Sequence, residues 1–467
     1  MKKNIFFSFA LLLAIAFSCK KNEEAQPMIA VAFVNQELNL SESITQVNIV
    51  FSSATRAAGT LTLSIEPTNA VYGTDFTTTP AISNSTISLP FEVNATNLSF
   101  SFTKLLDAKE GETKNVKFTI SSVSVEGMEI AANVNYTKLN FNEVALGSNT
   151  IVAENGGNTF PDQLFIDFSS GLVSKNRRTT WDLAFYTGSA FRVAINGSVK
   201  MAVKQLATTN IDEVQSTDPN VAVGTYTIGD TLYVDRPEGN ITGTAIAEVS
   251  ATDADNKVYL VNLGQDIATT PATGTGAALT GASRGWKKIR ILRNGDAYKL
   301  QYADLEQTTH QEVTISKDAS YNFTFFSLAT NATVSVEPTK QKWDISLSTF
   351  TNFTLYGTDN VTYFYPDFVV SNSKAGTRAY QVLTSEVAYD DFTFSNVVGA
   401  NFETNTAKDQ RTIGANWRAT FPSPAIKTDR FYVLRDVAGN VYKVRFNGML
   451  NSSSQRGTVT FEYKKLN

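Results

Sequence analysis

Thr180-Trp181-Asp182-Leu183-Ala184-Phe185 and Lys342-Trp343-Asp344-Ile345-Ser346-Leu347 carry one pattern twice, a Trp-Asp pair that opens a period-2 alternation. Each is preceded by a similar aromatic strand, Phe165-Ile166-Asp167-Phe168-Ser169-Ser170-Gly171 in one case and Phe323-Thr324-Phe325-Phe326-Ser327-Leu328 in the other. Each is followed much later by a hairpin, around Asn294-Gly295 and around Gly439-Asn440. Two copies of one β domain, 145–325 and 326–467, are the simplest reading. On such a strand the indole is expected on the buried face. The aspartate is expected to point outward, where it can accept hydrogen bonds from neighbouring backbone or from an indole N–H.

Upstream, residues 28–140 alternate in the same way. Ile29-Ala30-Val31-Ala32-Phe33, Val47-Asn48-Ile49-Val50-Phe51, Leu61-Thr62-Leu63-Ser64-Ile65, Leu98-Ser99-Phe100-Ser101-Phe102 and Val116-Lys117-Phe118-Thr119-Ile120 each offer one apolar face. Short polar connections between such strands predict two antiparallel sheets packed face to face. Usage rich in Thr, Ser, Val, Phe, Tyr and Asn, with Asn-Gly and Gly-Asp pairs, supports the same fold class throughout. The mature chain is expected to be all-β, an N-terminal β-sandwich followed by two antiparallel β domains.

The first eighteen residues differ from the rest. Lys2-Lys3 precedes an apolar run that is too short to span a bilayer, and Ala16 and Ser18 lead to Cys19, the sole cysteine. This predicts a lipoprotein signal peptide at 1–18, lipidation of Cys19 and a tether at 19–27. Lys20-Lys21-Asn22-Glu23-Glu24 resembles the charged tethers of surface-exported Bacteroidetes lipoproteins. An outer-membrane lipid anchor with exposure at the cell surface is the expected location.

Composition narrows the function. Loss of residues 1–18 takes the formal net charge from −4 to −6 by removing Lys2 and Lys3, and an acidic chain without a basic stripe is not a nucleic-acid binder. With Cys19 committed to lipid, no disulfide or thiolate metal site can form. Gly281-Ala282-Ser283-Arg284-Gly285 matches a nucleophile elbow, with Asp304 and His310 downstream, but an elbow needs a strand before it and a helix after it. Here a Thr-Ala-Gly loop precedes and a strand follows. Asp390 and Asp391, as neighbours on a strand, would face opposite sides. No active site is visible, and the chain is read as non-enzymatic.

Two family resemblances follow from these landmarks. Residues 28–140, with Glu42 after the first strand, Tyr72-Gly73-Thr74-Asp75-Phe76 in the middle and Asp107-Ala108-Lys109-Glu110-Gly111-Glu112 near the end, resemble a Calx-beta domain. The resemblance implies calcium at acidic loops, with Glu42, Asp75, Asp107, Glu110 and Glu112 as the matching positions, although a run of consecutive aspartates is missing. The Phe-Ser-x-Gly of the first copy, with the Trp-Asp and terminal-hairpin landmarks of both, looks like the HmuY-like family of Bacteroidetes surface lipoproteins. That resemblance implies haem capture for a partner receptor of the TonB-dependent type. Its two-histidine clamp has no counterpart here: Trp417-Arg418-Ala419-Thr420-Phe421-Pro422-Ser423-Pro424 and Trp286-Lys287-Lys288 lack histidine, and His310 is the chain's only one. His310, Met201 and Met449 are the remaining candidate iron ligands, and Tyr363, Phe364, Tyr365 and Phe368 are candidates to line an apolar cleft. An adhesion or scaffold lipoprotein without a small ligand is the alternative reading.

Overall fold

Residues 27–109 and 112–467 are described by a computed structural model. They form two units, one ending at Glu143 and one running from Val144 to Asn467. The predicted leader, Cys19 and Glu110 lie outside the described residues.

The first unit is the expected sandwich, except that its sheets are not wholly antiparallel: Met128–Ile130 and Glu37–Leu40 each pair in parallel at one sheet edge. One sheet runs Met128–Ile130, Ile29–Phe33, Ile44–Phe51, Asn97–Lys104, Phe76–Thr79, and the other Glu37–Leu40, Tyr136–Phe141, Asn115–Val123, Gly59–Thr68, Thr86–Phe91. Alternation explains the core: Val47, Ile49 and Phe51 from one sheet and Leu61, Leu63 and Ile65 from the other point inward, since side chains two apart share a face. Phe102 sits at its centre, stacked on Phe76 at 5.0 Å and edge-on to Phe118 and Phe141.

The second unit contains both Trp-Asp copies, and its sheets are shared between them. Strand Asp162–Ile166 of the first copy pairs with Ile345–Tyr356 of the second, and Leu183–Tyr186 of the first pairs with Phe323–Ser327 of the second. Each Trp-Asp strand thus lies against the leading aromatic strand of the other copy. The exchange extends outward: Ser148–Glu154 is the edge of the sheet otherwise made by Thr458–Lys465, Val441–Gly448, Arg430–Arg435 and Arg378–Leu383. Gly457, at φ +99°, allows that closure, because a Cβ there would lie 2.1 Å from the Gly157 carbonyl oxygen. The boundary expected at 325/326 falls inside the Phe323–Ser327 strand, and the two copies are interlaced rather than laid end to end.

The aspartates lock this exchange. Asp182 and Asp344 are 0% and 4% exposed, so the outward orientation expected from sequence is corrected. Their backbone partners are across the exchange: Leu328 N donates to Asp182 Oδ2 at 2.7 Å and Phe168 N to Asp344 Oδ2 at 2.8 Å. A buried carboxylate is tolerated where its charge is met, and at Asp182 the backbone N–H on Oδ2 is joined by the Arg284 guanidinium 2.8 Å from Oδ1. Asn196 and Asn372 complete the match, each donating its amide to the carbonyl of the preceding tryptophan, at 2.7 and 2.9 Å.

Packing then falls into layers. Strand Leu183–Tyr186 sends Leu183 and Phe185 into one core and Ala184 to the opposite side, while Asp162–Ile166 sends Leu164 and Ile166 into another core and Phe165 to the opposite side. Between the two mixed sheets lie Phe165, Trp181, Ala184, Phe325, Val336 and Trp343. Trp343 meets Phe165 edge-on at 5.1 Å, and Trp181 meets Phe325 in the same manner at 5.0 Å. The expected hairpins are also present, Trp286–Asn294 with Ala297–Asp304 and Arg430–Arg435 with Val441–Gly448.

Candidate functional site

A cavity of about 180 Å³ opens between the two mixed sheets. It exists because the alternate positions that face it are small. Ile345 and Leu347 fill the core behind their sheet, whereas Ser346 and Ser348 face the cavity, and Ala184 and Ala194 from the opposite sheet and Gly197 from the turn after it do the same. Around this space stand Trp181, Trp343, Phe165, Phe325, Phe350 and Phe368, the last two stacked at 4.6 Å.

One end of the cavity is charged. Asp235, Glu337 and Lys374 line it. Asp235 accepts from Ile195 N at 2.9 Å and Ala245 N at 2.8 Å, and Glu337 Oε1 from Asn322 N at 2.8 Å and Phe323 N at 3.0 Å. Lys374 Nζ donates to Gln410 Oε1 at 3.3 Å. Burial pushes Asp235 up to about 6 and Glu337 up to about 7, and it pushes Lys374 down. Loss of water disfavours every charged form here, and the backbone hydrogen bonds to the two carboxyl groups, with the attraction of each to Lys374, only partly offset that.

A stability consequence follows. From about pH 4.5 to 7 the unfolded Glu337 side chain is ionised while the folded one keeps its proton, so stability falls as pH rises through this window. The contribution is on the order of 3 kcal/mol. Glu337→Gln keeps an acceptor for the two backbone N–H groups, and its melting temperature should vary less steeply between pH 4.5 and 7 than the parent's. Asp235, Asp367 and Asp436, whose shifts have the same sign, contribute to the residual slope. An unchanged slope would contradict this assignment.

The residues singled out from sequence do not converge on this cavity. Met201, fully buried, lines it. Met449 packs in the core beneath the Val441–Gly448 strand. His310, just before strand Gln311–Ile315, has both ring nitrogens engaged, Nδ1 with Asp212 at 2.9 Å and Nε2 with Gln301 at 3.2 Å. Of the expected aromatic lining, Phe368 faces the cavity; Phe364 packs near the Arg178 guanidinium and Tyr363 is 39% exposed. Trp417 is buried, stacked on Phe446 at 4.6 Å.

The other candidates are placed as follows. Asp75 is paired with Lys114 at 2.9 Å and accepts from Val71 N, Asp107 is paired with Lys104, Glu112 lies 3.7 Å from Lys114, and Glu42 is exposed in a turn. Among the described residues no group of three or more His, Cys, Asp or Glu side chains is placed to hold a metal ion. The Ser283 hydroxyl accepts from Gly285 N at 3.2 Å, Asp304 pairs with Lys287, and strand Trp286–Asn294 follows where an elbow requires a helix. Asp390 and Asp391 lie in a turn, not on a strand as read from sequence. Among the described residues no helix is long and apolar enough to cross a membrane.

Asp235, Glu337 and Lys374 were not legible beforehand. They lie in separate polar segments, Asp235 in the first copy and Glu337 and Lys374 in the second, and the interlacing of the copies brings them to one cavity.

Comparison with known proteins agrees with the repeat. The family model described as HmuY protein matches residues 159–316 and 319–463, so the chain belongs to the HmuY family in two tandem copies. No curated protein matches the chain. Among solved structures it is similar to a candidate HmuY-like haem-binding protein of Bacteroides vulgatus ATCC 8482, at 11% identity over 69% of this chain and 93% of the other, TM-score 0.17. It is likewise similar to a candidate lipoprotein of Bacteroides fragilis NCTC 9343, at 11% identity over 69% and 92%, TM-score 0.15. The apo form of the Calx CBD1 domain aligns at 16% identity with 24% of this chain and 96% of that domain, TM-score 0.20.

Proposed function

We propose that this chain is a non-catalytic binding lipoprotein, held in the outer membrane by lipid on Cys19 and exposed at the cell surface, which captures a small ligand and passes it to a TonB-dependent receptor. The cavity between the exchanged sheets carries this reading: a concave, largely aromatic space with a few polar groups at one end is the usual form of a ligand site. Membership of the HmuY family and the leader ahead of Cys19 support it.

Haem, the ligand named for the Bacteroides vulgatus neighbour, fits this chain poorly. A cavity of about 180 Å³ compares with the ~150 Å³ that accommodates benzene, and a porphyrin is several times larger. His310 is already bonded through both ring nitrogens, and Met201 and Met449 belong to separate cores. Titration of the mature protein with haemin is expected to give no saturable Soret shift. A sharp six-coordinate spectrum at one equivalent would restore haem as the ligand.

The anchor is tested by Cys19→Ala. Fatty-acid labelling should be lost and the protein should leave the membrane fraction, whereas the parent should be cut by protease added to intact cells. A parent protected from protease would remove surface exposure from this reading.

A second reading, adhesion without a small ligand, has one feature in its favour. Ile228, Leu232 and Leu355 are 75%, 77% and 70% exposed beside Tyr226 and Tyr356, whose rings meet at 5.8 Å. Exposed apolar clusters of this kind are common at contacts between proteins.

A further inference from the structure

We propose that the cavity between the exchanged sheets binds a single-ring aromatic carboxylate, with the ring among Trp181, Trp343, Phe165 and Phe325 and the carboxylate received by Lys374. The inference rests on the binding role above and names the chemical class of the ligand.

Size sets the ring count. A space of about 180 Å³ admits one benzene-sized ring with a short substituent, judged against the ~150 Å³ that holds benzene. The walls set the ring's character. Two indoles and two phenylalanines meet edge to face at 5.1 and 5.0 Å, and a further aromatic ring gains from both faces and edges of such a wall.

Hydrogen-bond capacity sets the substituent. Both oxygens of Asp235 already accept a backbone N–H, and Glu337 Oε1 accepts two. Lys374 has three N–H donors and a bond to Gln410 at 3.3 Å. The indole N–H of Trp343 and the hydroxyls of Ser348 and Ser371, all on wall residues, find no hydrogen-bond partner among the described residues. The open capacity is therefore mainly donor capacity, and a ligand that completes it brings acceptor oxygens.

Asp235 and Glu337 would repel an anion if both stayed ionised. Burial already raises both toward neutrality, to about 6 and about 7, so an entering carboxylate favours their protonation and binding takes up a proton. The remaining charged wall residue, Arg236, is turned toward Glu238 at 3.4 Å. The sign is diagnostic: a carboxylate ligand binds more tightly at pH 6 than at pH 8, and an ammonium ligand does the reverse.

The test uses the full mature chain and three probes of one shape: benzoate, benzyl alcohol and benzylamine. Two of the four tryptophans line the cavity, so indole fluorescence and calorimetry both report binding. Benzoate is expected to bind saturably, severalfold more tightly at pH 6 than at pH 8. Lys374→Met should abolish benzoate binding while leaving that of benzyl alcohol, which also shows that the variant is folded. Preference for benzylamine, benzoate affinity untouched by Lys374→Met, or no binding of any probe would each overturn the proposal. None of these outcomes bears on the lipid anchor and surface exposure, which the Cys19→Ala and protease experiments decide separately.

Discussion

Asp182→Ala is expected to lower the unfolding free energy of the 144–467 unit by about 3–5 kcal/mol. The carboxylate is 0% exposed, caps Leu328 N at 2.7 Å and lies 2.8 Å from Arg284 Nη2, whose side chain is 6% exposed. Alanine removes the backbone cap and leaves a buried guanidinium with the Leu263 carbonyl at 3.0 Å and Asp266 at 3.7 Å. A domain commonly has only ~5–15 kcal/mol in total, so the variant should be close to unfolded at physiological temperature. Asp182→Asn keeps an oxygen for Leu328 N and loses the charge, and it should fall between the two. Urea unfolding measures this directly; a loss under about 1 kcal/mol would mean that the aspartate does not hold the exchanged strands together.

Arg178→Met should have an effect of similar size for a different reason. Arg178 is 0% exposed, and it donates to the carbonyl oxygens of Phe160 at 2.8 Å and Ser198 at 2.7 Å, and to that of Leu279. Burial lowers its pKa to about 10, so it remains charged near neutral pH. Methionine fills similar volume but leaves the Phe160 and Leu279 carbonyls without this donor, each costing roughly 1–3 kcal/mol if no water reaches it, whereas the Ser198 carbonyl keeps the Thr349 hydroxyl at 2.7 Å. A net loss of about 3–5 kcal/mol is expected. Because Ser198 is also a cavity wall residue, probe binding should weaken alongside stability. A variant as stable as the parent would show that these carbonyls find other donors.

The strands themselves were legible because period-2 alternation is local, and so were both hairpins, whose Asn-Gly and Gly-Asn turns mark them in the chain. The pairing of the strands was not. Phe323–Ser327 carries the same aromatic alternation whichever Trp-Asp strand lies beside it, so nothing in its own residues selects the partner from the other copy. The cavity was hidden for a related reason. In Ile345-Ser346-Leu347-Ser348 the serines read as a solvent face, yet Ser346 and Ser348 are 1% and 6% exposed. A strand with a packed core on one side and a cavity on the other shows the alternation of a half-wet strand. The orientation of Asp182 and Asp344 was misread on the same basis, since a carboxylate on a strand is ordinarily on its wet face.

The order of synthesis adds a constraint of its own. Ile166 pairs with Ile345, 179 residues later, and translation at ~5–20 residues per second leaves the earlier strand waiting on the order of ten seconds or more for its neighbour. During that time the nascent amino-terminal half presents bare sheet edges that could join the wrong chain. A truncated transcript ending between the copies would yield a sticky fragment instead of a smaller working protein. One chain should also hold one molecule of ligand, since both copies contribute to a single chamber.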